Sequence, residues 1–263
     1  MSLHIGKLTF LGSGTSQGVP VIACECPTCL SNDNLDKRLR ASVLIEVANL
    51  HFCIDAGPDF RQQMLREKVG QLDAILLTHE HKDHIAGLDD VRAFNYKQQT
   101  DFPIYCSAAV EKALHREFYY AFEPKPYPGV PQFQIQRIEN KPFLLNDYLQ
   151  IEVIEVLHHR MPVFGFRIGN LAYITDAKTI APAEKAKLKG LDTLIINALH
   201  EYQHQSHFNL EEALALINEL QPKQSYLTHI SHLFGKHQEV SLKLPPNVML
   251  AHDGLRLDFQ YLD

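Results

Sequence analysis

The segment THEHKDH concentrates metal-binding side chains directly after the apolar run LDAILL: His79, His81, Asp83 and His84. In an extended chain, alternate side chains point the same way, so His79 and His81 can reach one ion together. If the chain turns into a helix at Asp83, the Asp83 and His84 side chains face a second position. Such nitrogen and oxygen donors suit Zn, Mn or Fe. A polar loop with solvated histidines is the alternative.

Further donors stand at the ends of strand-like runs: His158 and His159 in EVLHH, Asp176 in LAYITDA, and His229 in QSYLTH. Side chains that are distant in sequence converge where strands end. Each of these residues alone is explained as a hydrogen-bonded loop residue. Together with THEHKDH, they predict two sets of ligands around one bridging carboxylate, Asp176.

Three thiols lie close together in a polar, proline-containing loop: Cys24, Cys26 and Cys29. A structural zinc site needs a fourth ligand. His232 follows three residues after His229 and can face away from the first cluster, so it supplies that ligand in a predicted Cys3His site. The zinc would tie the N-terminal loop to the loop that carries His229. Burial as apolar residues is the alternative, and it is our expectation for Cys53 and Cys106.

These donors need elements to position them. Runs rich in Val, Ile, Leu and Phe predict strands, among them KLTFLG, SVLIEV, LHFCIDAG, LDAILLT, LQIEVIEVLH, LAYITDA, LDTLIINAL and QSYLTHI. FRQQMLREKV and NLEEALALINELQ have helical spacing, and Asn209 with Glu212 predicts a capping box on the second. Two blocks of strands, each followed by helices, predict one domain over residues 1–263, with two packed sheets covered by helices.

The glycine run GSGTSQG is not a nucleotide-binding loop. Its third glycine is out of register for a dinucleotide fingerprint, and no helix follows. A Walker loop is excluded because Gly-Lys-Ser/Thr is absent. We expect a tight loop whose backbone passes near another part of the protein.

Composition narrows the class of protein. The chain has 263 residues, 15 histidines and a formal net charge of -6, which disfavours loose binding to nucleic acid. An odd cysteine count with clustered thiols indicates a reduced compartment. No apolar run approaches the ~20 residues of a membrane span, and the N-terminal segment lacks a secretory pattern. We therefore expect a cytoplasmic protein with no membrane partner.

The motif HxHxDH after a buried strand, followed by His, Asp and His at strand ends, resembles the metallo-β-lactamase superfamily of dinuclear hydrolases. The resemblance runs from Leu8 to about Phe259 and implies an α/β (α+β) fold, a four-layer αββα sandwich. It assigns His79, His81 and one of His158 and His159 to the first ion; we prefer His159 from the interval to FGF. It assigns Asp83, His84 and His229 to the second ion, with Asp176 as the bridge. Asp55, in CIDAG, matches an aspartate that orients the ligand histidines.

The cysteine loop with THISH resembles the phosphodiesterase accessory to the carbon–phosphorus lyase pathway. That resemblance implies two divalent ions, Zn or Mn, one structural Zn, and hydroxide attack on a small, cyclic ribose-phosphate-like phosphodiester. It implies catalytic roles for Asp83 and Asp176 and makes His207 the general acid. It also implies a homodimer. Arg38, Arg40 and Arg160 are candidates to hold a second phosphate, with a solvated turn as the alternative for the DKRLR segment.

Other members of the superfamily supply the rival functions. A tRNA 3′-processing nuclease uses the same ligands with an extended arm, but EPKPYPGVPQF is short and not markedly basic. A thioester or lactam hydrolase fits the cysteine loop less well. A non-hydrolytic relative from cofactor biosynthesis, such as that of pyrroloquinoline quinone, shares the cysteine loop, but a complete ligand set argues for an enzyme.

Overall fold

The computed structural model describes residues 3–262. Its strands, in chain order, are β1 (Leu3–Gly12), β2 (Ser42–Val47), β3 (Leu50–Ile54), β4 (Ala74–Leu76), β5 (Phe102–Cys106), β6 (Phe133–Arg137), β7 (Phe143–Leu145), β8 (Leu149–His158), β9 (Met161–Ile168), β10 (Leu171–Ile174), β11 (Thr179–Ile180), β12 (Thr193–Asn197), β13 (Gln224–Thr228), β14 (Val248–Leu250) and β15 (Arg256–Leu262). The α-helices are α1 (Phe60–Glu67), α2 (Lys82–Ile85), α3 (Arg92–Gln98), α4 (Ala108–Glu117), α5 (Pro182–Lys187), α6 (Leu210–Leu220) and α7 (His237–Ser241). Short 3-10 turns occupy Asn34–Asp36, Leu88–Val91, Tyr119–Ala121 and His232–Phe234.

The strands form two sheets. The first has the order β15-β1-β2-β3-β4-β5-β6, and the second has the order β11-β8-β9-β10-β12-β13-β14, with β7 paired to β8. β3 to β6 are parallel neighbours in the first sheet, and β10, β12, β13 and β14 are parallel neighbours in the second. Parallel strands are usually covered on both faces, and β4, β10 and β12 are accordingly apolar over most of their length.

Three apolar clusters fill the spaces between layers. One lies between the sheets and includes Phe52, Phe166 and Tyr173, all fully buried. A second packs the outer face of the second sheet against residues of α6 and α7. The third packs the first sheet against residues of α1, α3 and α4. The predicted four-layer αββα arrangement is therefore confirmed, and each large buried side chain contributes about 1.5–3 kcal/mol of burial free energy.

Most of the predicted elements form where the sequence places them. The capping box on α6 is confirmed: Asn209 Oδ1 accepts from Glu212 N at 2.9 Å, and Glu212 Oε2 accepts from Asn209 N at 3.0 Å. The strands β5, β6, β7 and β11 were not predicted from the sequence, because each is short or carries alternating polar residues. The segment from Glu123 to Gln132, which holds the prolines, forms no helix or strand. Within residues 3–262, none of the helices has the length and apolar character of a membrane span.

Candidate metal centres

The histidine and aspartate donors follow the ends of parallel strands. In the first sheet, Asp55 follows β3 directly and His79 lies just beyond β4. In the second, Asp176 lies just beyond β10 and His229 follows β13. The φ angles of Asp55, Asp176 and His229 are +64°, +54° and +56°, a left-handed conformation that few residues other than glycine adopt. Such backbone strain concentrates at functional sites.

The THEHKDH segment turns into α2 at Lys82, close to the predicted position. His81 is extended, and His84 N donates to His81 O at 3.0 Å. The turn packs directly against Gly57, in the loop after β3. A Cβ at Gly57 would lie 2.0 Å from Asp83 O, so only glycine permits this approach.

Asp83, His84 and His229 form one group of donors, with ligand atoms within 4.8 Å of one another. His84 Nε2 lies 3.1 Å from Asp83 Oδ2 and 3.2 Å from Asp176 Oδ2. His229 Nε2 lies 3.3 Å from the other oxygen, Asp176 Oδ1. The structure thus brings together the three residues predicted for one ion and places the Asp176 carboxylate beside them.

His79, His81 and His158 form a second group of neighbouring rings. The ring centroids of His79 and His81 are 4.6 Å apart, and those of His81 and His158 are 5.2 Å apart. His79 and His84 also share a donor group with Asp176. His158 Nδ1 donates to Ser206 O at 2.8 Å, which leaves its Nε2 as the donor atom for an ion.

The prediction that His159 faces the cluster is wrong. His158 is the last residue of β8 and pairs with Met161, so His159 and Arg160 form the two-residue turn to β9. His159 has a φ of +58° and its side chain is exposed, whereas His158 is buried on the same face as Val156. Along β8, counting alternate residues from Ile154 and Val156 leads to His158, whereas counting from Leu149, Ile151 and Val153 leads to His159.

Asp55 orients the ligand segment, as the resemblance implied, but it acts on His84 and Thr78 rather than directly on His79 and His81. Asp55 Oδ2 accepts from His84 Nδ1 at 2.6 Å and from Thr78 Oγ1 at 2.9 Å, and Oδ1 accepts from Thr78 N at 2.9 Å. Thr78 Oγ1 also lies 3.0 Å from His79 Nδ1. The bond to Asp55 occupies Nδ1 of His84 and aims its Nε2 at the carboxylates of Asp83 and Asp176.

The buried charges make this region favourable for cations. Burial alone would raise the pKa of Asp176, but His229 and His84 hold that pKa well below its usual value. Burial alone would lower the pKa of His84, but Asp55, Asp83 and Asp176 raise it well above the usual value. Burial and the neighbouring His84 lower the pKa of His79, which keeps its lone pair available.

The donor set fits two divalent ions. Among the described residues, Nε2 of His79, His84 and His229 is buried without a hydrogen-bond partner. Buried polar atoms normally have partners, and three such nitrogens beside ionised carboxylates call for positive charge between them. Imidazole and carboxylate donors suit Zn, Mn or Fe, as the sequence indicates.

His207 also lies in this cluster. Its ring stacks on His229 with centroids 4.8 Å apart, and it lies 4.5 Å from the His158 ring. His207 Nδ1 is 3.6 Å from Asp176 Oδ1. Burial, with His229 adding to it, lowers the pKa of His207 to about 2. His158, Asp176 and His207 form a further donor group, so His207 is placed to bind an ion as well as to move a proton.

The four residues of the predicted zinc site also come together: Cys24, Cys26, Cys29 and His232. His232 Nδ1 lies 3.3 Å from Cys24 Sγ and 3.4 Å from Cys26 Sγ. Zinc bonds of about 2.3 Å to sulfur and about 2.0 Å to nitrogen put tetrahedral ligand atoms about 3.5 Å apart. The spacing therefore fits a closed zinc site. Cys53 and Cys106 are buried elsewhere, as expected.

Of the three arginines predicted for phosphate binding, two contact other parts of the protein and one lies in an exposed turn. Arg40 forms an ion pair with Asp59 at 3.0 Å. Arg160 is exposed in the turn after β8. Arg38 is buried, so the segment DKRLR is not a solvated turn.

Sequence reasoning missed Asn197, the last residue of β12. Its Oδ1 accepts from Ala177 N at 2.7 Å and its Nδ2 donates to Ala177 O at 3.0 Å. This pair of bonds fixes the loop that carries Asp176. An asparagine ending an otherwise apolar strand, in LDTLIINAL, was the available signal.

The choice between the adjacent histidines is testable. His158→Gln removes a donor from the cluster, so we expect a loss of about one metal ion per chain and at least a ~100-fold loss of activity. His159→Gln changes an exposed turn residue and should leave both unchanged. Elemental analysis with steady-state kinetics measures both effects, and the opposite pattern would restore His159 as the ligand.

The thiol site should release its ion on acidification. Burial alone would raise the pKa of Cys26, but hydrogen bonds from Cys29 N, His232 and the neighbouring thiols lower it to about 6. The Cys26 thiolate is therefore present above this pH, and a bound zinc ion would hold the thiols deprotonated to lower pH, so we expect one zinc per chain to be released as the pH falls below about 6. A chromogenic chelator measures the release. Cys24→Ala should lack this pH-dependent release of zinc, whereas Cys106→Ala should retain it. Release of zinc that does not depend on pH would contradict the proposed site.

Comparison with known proteins places this arrangement in a family. A model of the beta-lactamase superfamily domain matches residues 51–230. The crystal structure of a new diphosphatase from the PhnP family is 38% identical, with 99% of each chain covered and a TM-score of 0.93. Zn(2+)-bound PqqB from Methylobacterium extorquens is 20% identical, covers 96% of this chain and 100% of its own, and has a TM-score of 0.76, a likeness of fold.

The chain is also similar to an octanoyltransferase of Porphyromonas gingivalis, 40% identical over 252 residues. The match covers 95% of this chain and 51% of that protein, so the chain spans about half the length of this curated relative. The match to residues 51–230 includes every predicted ligand of the paired ions, and the two-sheet fold agrees with it. The chain therefore belongs to the metallo-β-lactamase superfamily, a family that comprises metal-dependent hydrolases.

Proposed function

We propose that this protein is a metal-dependent hydrolase that cleaves a P–O bond in a small phosphodiester. The observation that carries the proposal is the position of Asp176: one carboxylate oxygen lies 3.2 Å from His84 Nε2 and the other lies 3.3 Å from His229 Nε2. A pair of divalent ions, when bound, would make a water molecule acidic and neutralise charge on the phosphoryl oxygens.

The chain's own residues would divide the ions between two positions. His79, His81 and His158 would hold one, and Asp83, His84 and His229 would hold the other. Asp176 would be shared, and Asp55 would fix the direction of His84. The residues Cys24, Cys26, Cys29 and His232 would hold a separate structural zinc.

The charge of the cluster favours an anionic substrate. Burial alone would raise the pKa of Asp83, but His84 and His229 hold that pKa below its usual value. Asp83 is therefore ionised, like Asp176. These two carboxylates cancel only half of the charge of two divalent cations. The remaining positive charge attracts a phosphodiester more strongly than a neutral thioester or lactam.

His207 would protonate the leaving oxygen. Its imidazole is held neutral by burial and by the neighbouring His229. A phosphoryl group brings negative charge next to the ring, and a negative neighbour raises the pKa of a histidine. His207 would therefore take up its proton in the substrate complex and give it to the departing alkoxide.

A diphosphate is the second candidate substrate. It is favoured by the likeness to the PhnP-family diphosphatase at 38% identity over 99% of both chains. Cleavage of a diphosphate uses the same residues in the same roles, because it also transfers a phosphoryl group to water. The measured preference between a diphosphate and a cyclic diester decides between the two substrates.

The other functions have less support. Processing of tRNA ends would need an extended arm, and the described residues between β5 and β6 form α4, one short turn and an irregular loop. Octanoyl transfer is not proposed for this chain, because the chain matches only 51% of the octanoyltransferase of Porphyromonas gingivalis.

Asp176→Asn tests the proposal. Loss of the shared carboxylate charge should reduce hydrolysis of bis(p-nitrophenyl) phosphate, a cyclic ribose phosphate and a nucleoside diphosphate by at least ~1000-fold. Asp258→Asn, at an exposed position of β15, is the matched control and should retain activity. Wild-type turnover by Asp176→Asn would refute the proposed function, as would a wild-type enzyme that is inactive on all three substrates when loaded with Mn or Zn.

His207→Gln tests the proton donor. We expect a fall of ~10²–10⁴-fold in kcat for the cyclic ribose phosphate, whose alkoxide must be protonated. The nitrophenyl ester has a good leaving group and should be affected much less. Metal content should stay at the wild-type value. Equal losses with both substrates, accompanied by loss of an ion, would assign His207 to metal binding instead.

A further inference from the structure

Three sequence segments that the proposed chemistry does not use meet behind His229. They are GSGTSQG, DKRLR and AHDG, from opposite ends of the chain. Arg38, in the middle segment, is only 4% exposed. Burial lowers the pKa of its guanidinium to about 10, against the opposing effect of Asp253 and Asp36, so Arg38 remains charged near neutral pH.

The Arg38 guanidinium is occupied by contacts within the protein. Its Nη1 donates to Ser13 Oγ at 2.8 Å and to Ala251 O at 2.5 Å, and its Nη2 donates to His237 Nδ1 at 3.0 Å. These partners come from the loop after β1, the end of β14 and α7. Arg38 therefore joins separate parts of the chain and does not face a substrate.

Asp253 completes the arrangement around Ser13. Its Oδ1 accepts from Ser13 N at 2.9 Å and from Ser13 Oγ at 2.8 Å, while Oδ2 accepts from Leu39 N at 2.8 Å. The Ser13 hydroxyl thus donates to Asp253 and accepts from Arg38. We call these three side chains the Ser13–Arg38–Asp253 network.

The network holds the main chain beside His229. Ile230 N donates to Ser13 O at 2.9 Å, and Thr15 N donates to Ile230 O at 3.1 Å. The same loop packs closely against the segment that carries Arg38, because residue 12 is glycine: a Cβ there would lie 1.9 Å from Arg40 O. Ser13 and Thr15 therefore hold the residue that follows His229 through both its N–H and its C=O.

His229 depends on its main chain more than His84 and His158 do. His84 is oriented by Asp55 and His158 by Ser206 O, each through its ring Nδ1. Nδ1 of His229 is buried with no hydrogen-bond partner among the described residues. The position of its ring therefore depends on the main chain, which has a φ of +56°, and on stacking against His207.

We propose that the Ser13–Arg38–Asp253 network positions His229 for metal binding by fixing the main chain of Ile230. The inference rests on the proposed role of His229 as a ligand. The Ser13 hydroxyl joins Arg38 to Asp253, so its loss frees the loop from Arg38 and removes one of its two bonds to Asp253, while the bond from Ser13 N to Asp253 and the main-chain bonds to Ile230 remain. Outer partners of metal ligands typically contribute 10–100-fold to metal affinity, and we expect an effect of this size on one active-site ion.

The test compares metal binding by wild-type protein, Ser13→Ala and Arg38→Lys. Metal-depleted proteins are titrated with Co(II), followed by visible absorption, and ion content is measured after dialysis. In both variants we expect a 10–100-fold larger dissociation constant for one ion of the pair. The affinities for the other ion of the pair and for the thiol-bound ion should be unchanged. Excess metal should restore kcat, and KM should change little.

Two controls separate positioning from general stability. Ser225 lies in β13, the strand that leads to His229, and its buried hydroxyl has no hydrogen-bond partner among the described residues. Ser225→Ala removes this hydroxyl. Arg167→Lys weakens another arginine that donates to main-chain oxygens, at Gly169 (2.9 Å) and Lys189 (3.0 Å). Both should bind metal like the wild type. Unchanged Co(II) affinity in Ser13→Ala and Arg38→Lys, or an equal loss in the controls, would overturn the inference, whereas a wild-type protein that binds no ion pair would overturn the proposed function itself.

Discussion

The site depends on the contact between the carboxylate of Asp176 and histidines that belong to different sheets. Asp176 and His229 follow strands of the second sheet, while His84 lies in α2, the short helix that follows β4 of the first sheet. Buried carboxylates beside unpartnered imidazole nitrogens carry a desolvation cost that only nearby positive charge offsets. The two halves of the sandwich are therefore coupled at this edge by electrostatics, in addition to the apolar cluster between the sheets.

The second metal centre shares a segment with the first. His229 and His232 are separated by two residues, and the intervening Ile230 is bonded to the loop after β1. The thiol loop follows that same loop in the sequence, and Val21 N donates to Cys29 Sγ at 3.3 Å. A zinc ion bound by the thiols and His232 would thus stiffen the N-terminal region from one side while Arg38 and Asp253 fix it from the other. The two candidate metal centres are therefore joined through one segment of the chain.

The sequence predicts most of the ligand set because the donors are local or stand at strand ends. HxHxDH lies in one short segment, and Asp176 and His229 each end an apolar run, so pattern alone indicates them, whereas Asp55 was identified by the resemblance to the superfamily. The choice between His158 and His159 depended on hairpin register, which an interval to a later motif does not determine. The role of Arg38 was not predictable, because its partners Ser13, Ala251 and His237 are distant in sequence and have no local signature. Similarly, short strands such as β7 and β11 form only because neighbouring strands pair with them.

The pairing of the first and last strands has a consequence for how this protein can be labelled or tethered. β1 pairs antiparallel with β15, with Leu3 opposite Leu262, while the other end of β1 leads into the Ser13 loop beside the ligands. Residues 3 and 262 therefore lie together at the far end of the sheet, about 30 Å from Gly12 along an extended strand. A fluorescent label or surface tether attached near these two residues would therefore lie at the opposite end of β1 from the candidate metal centres.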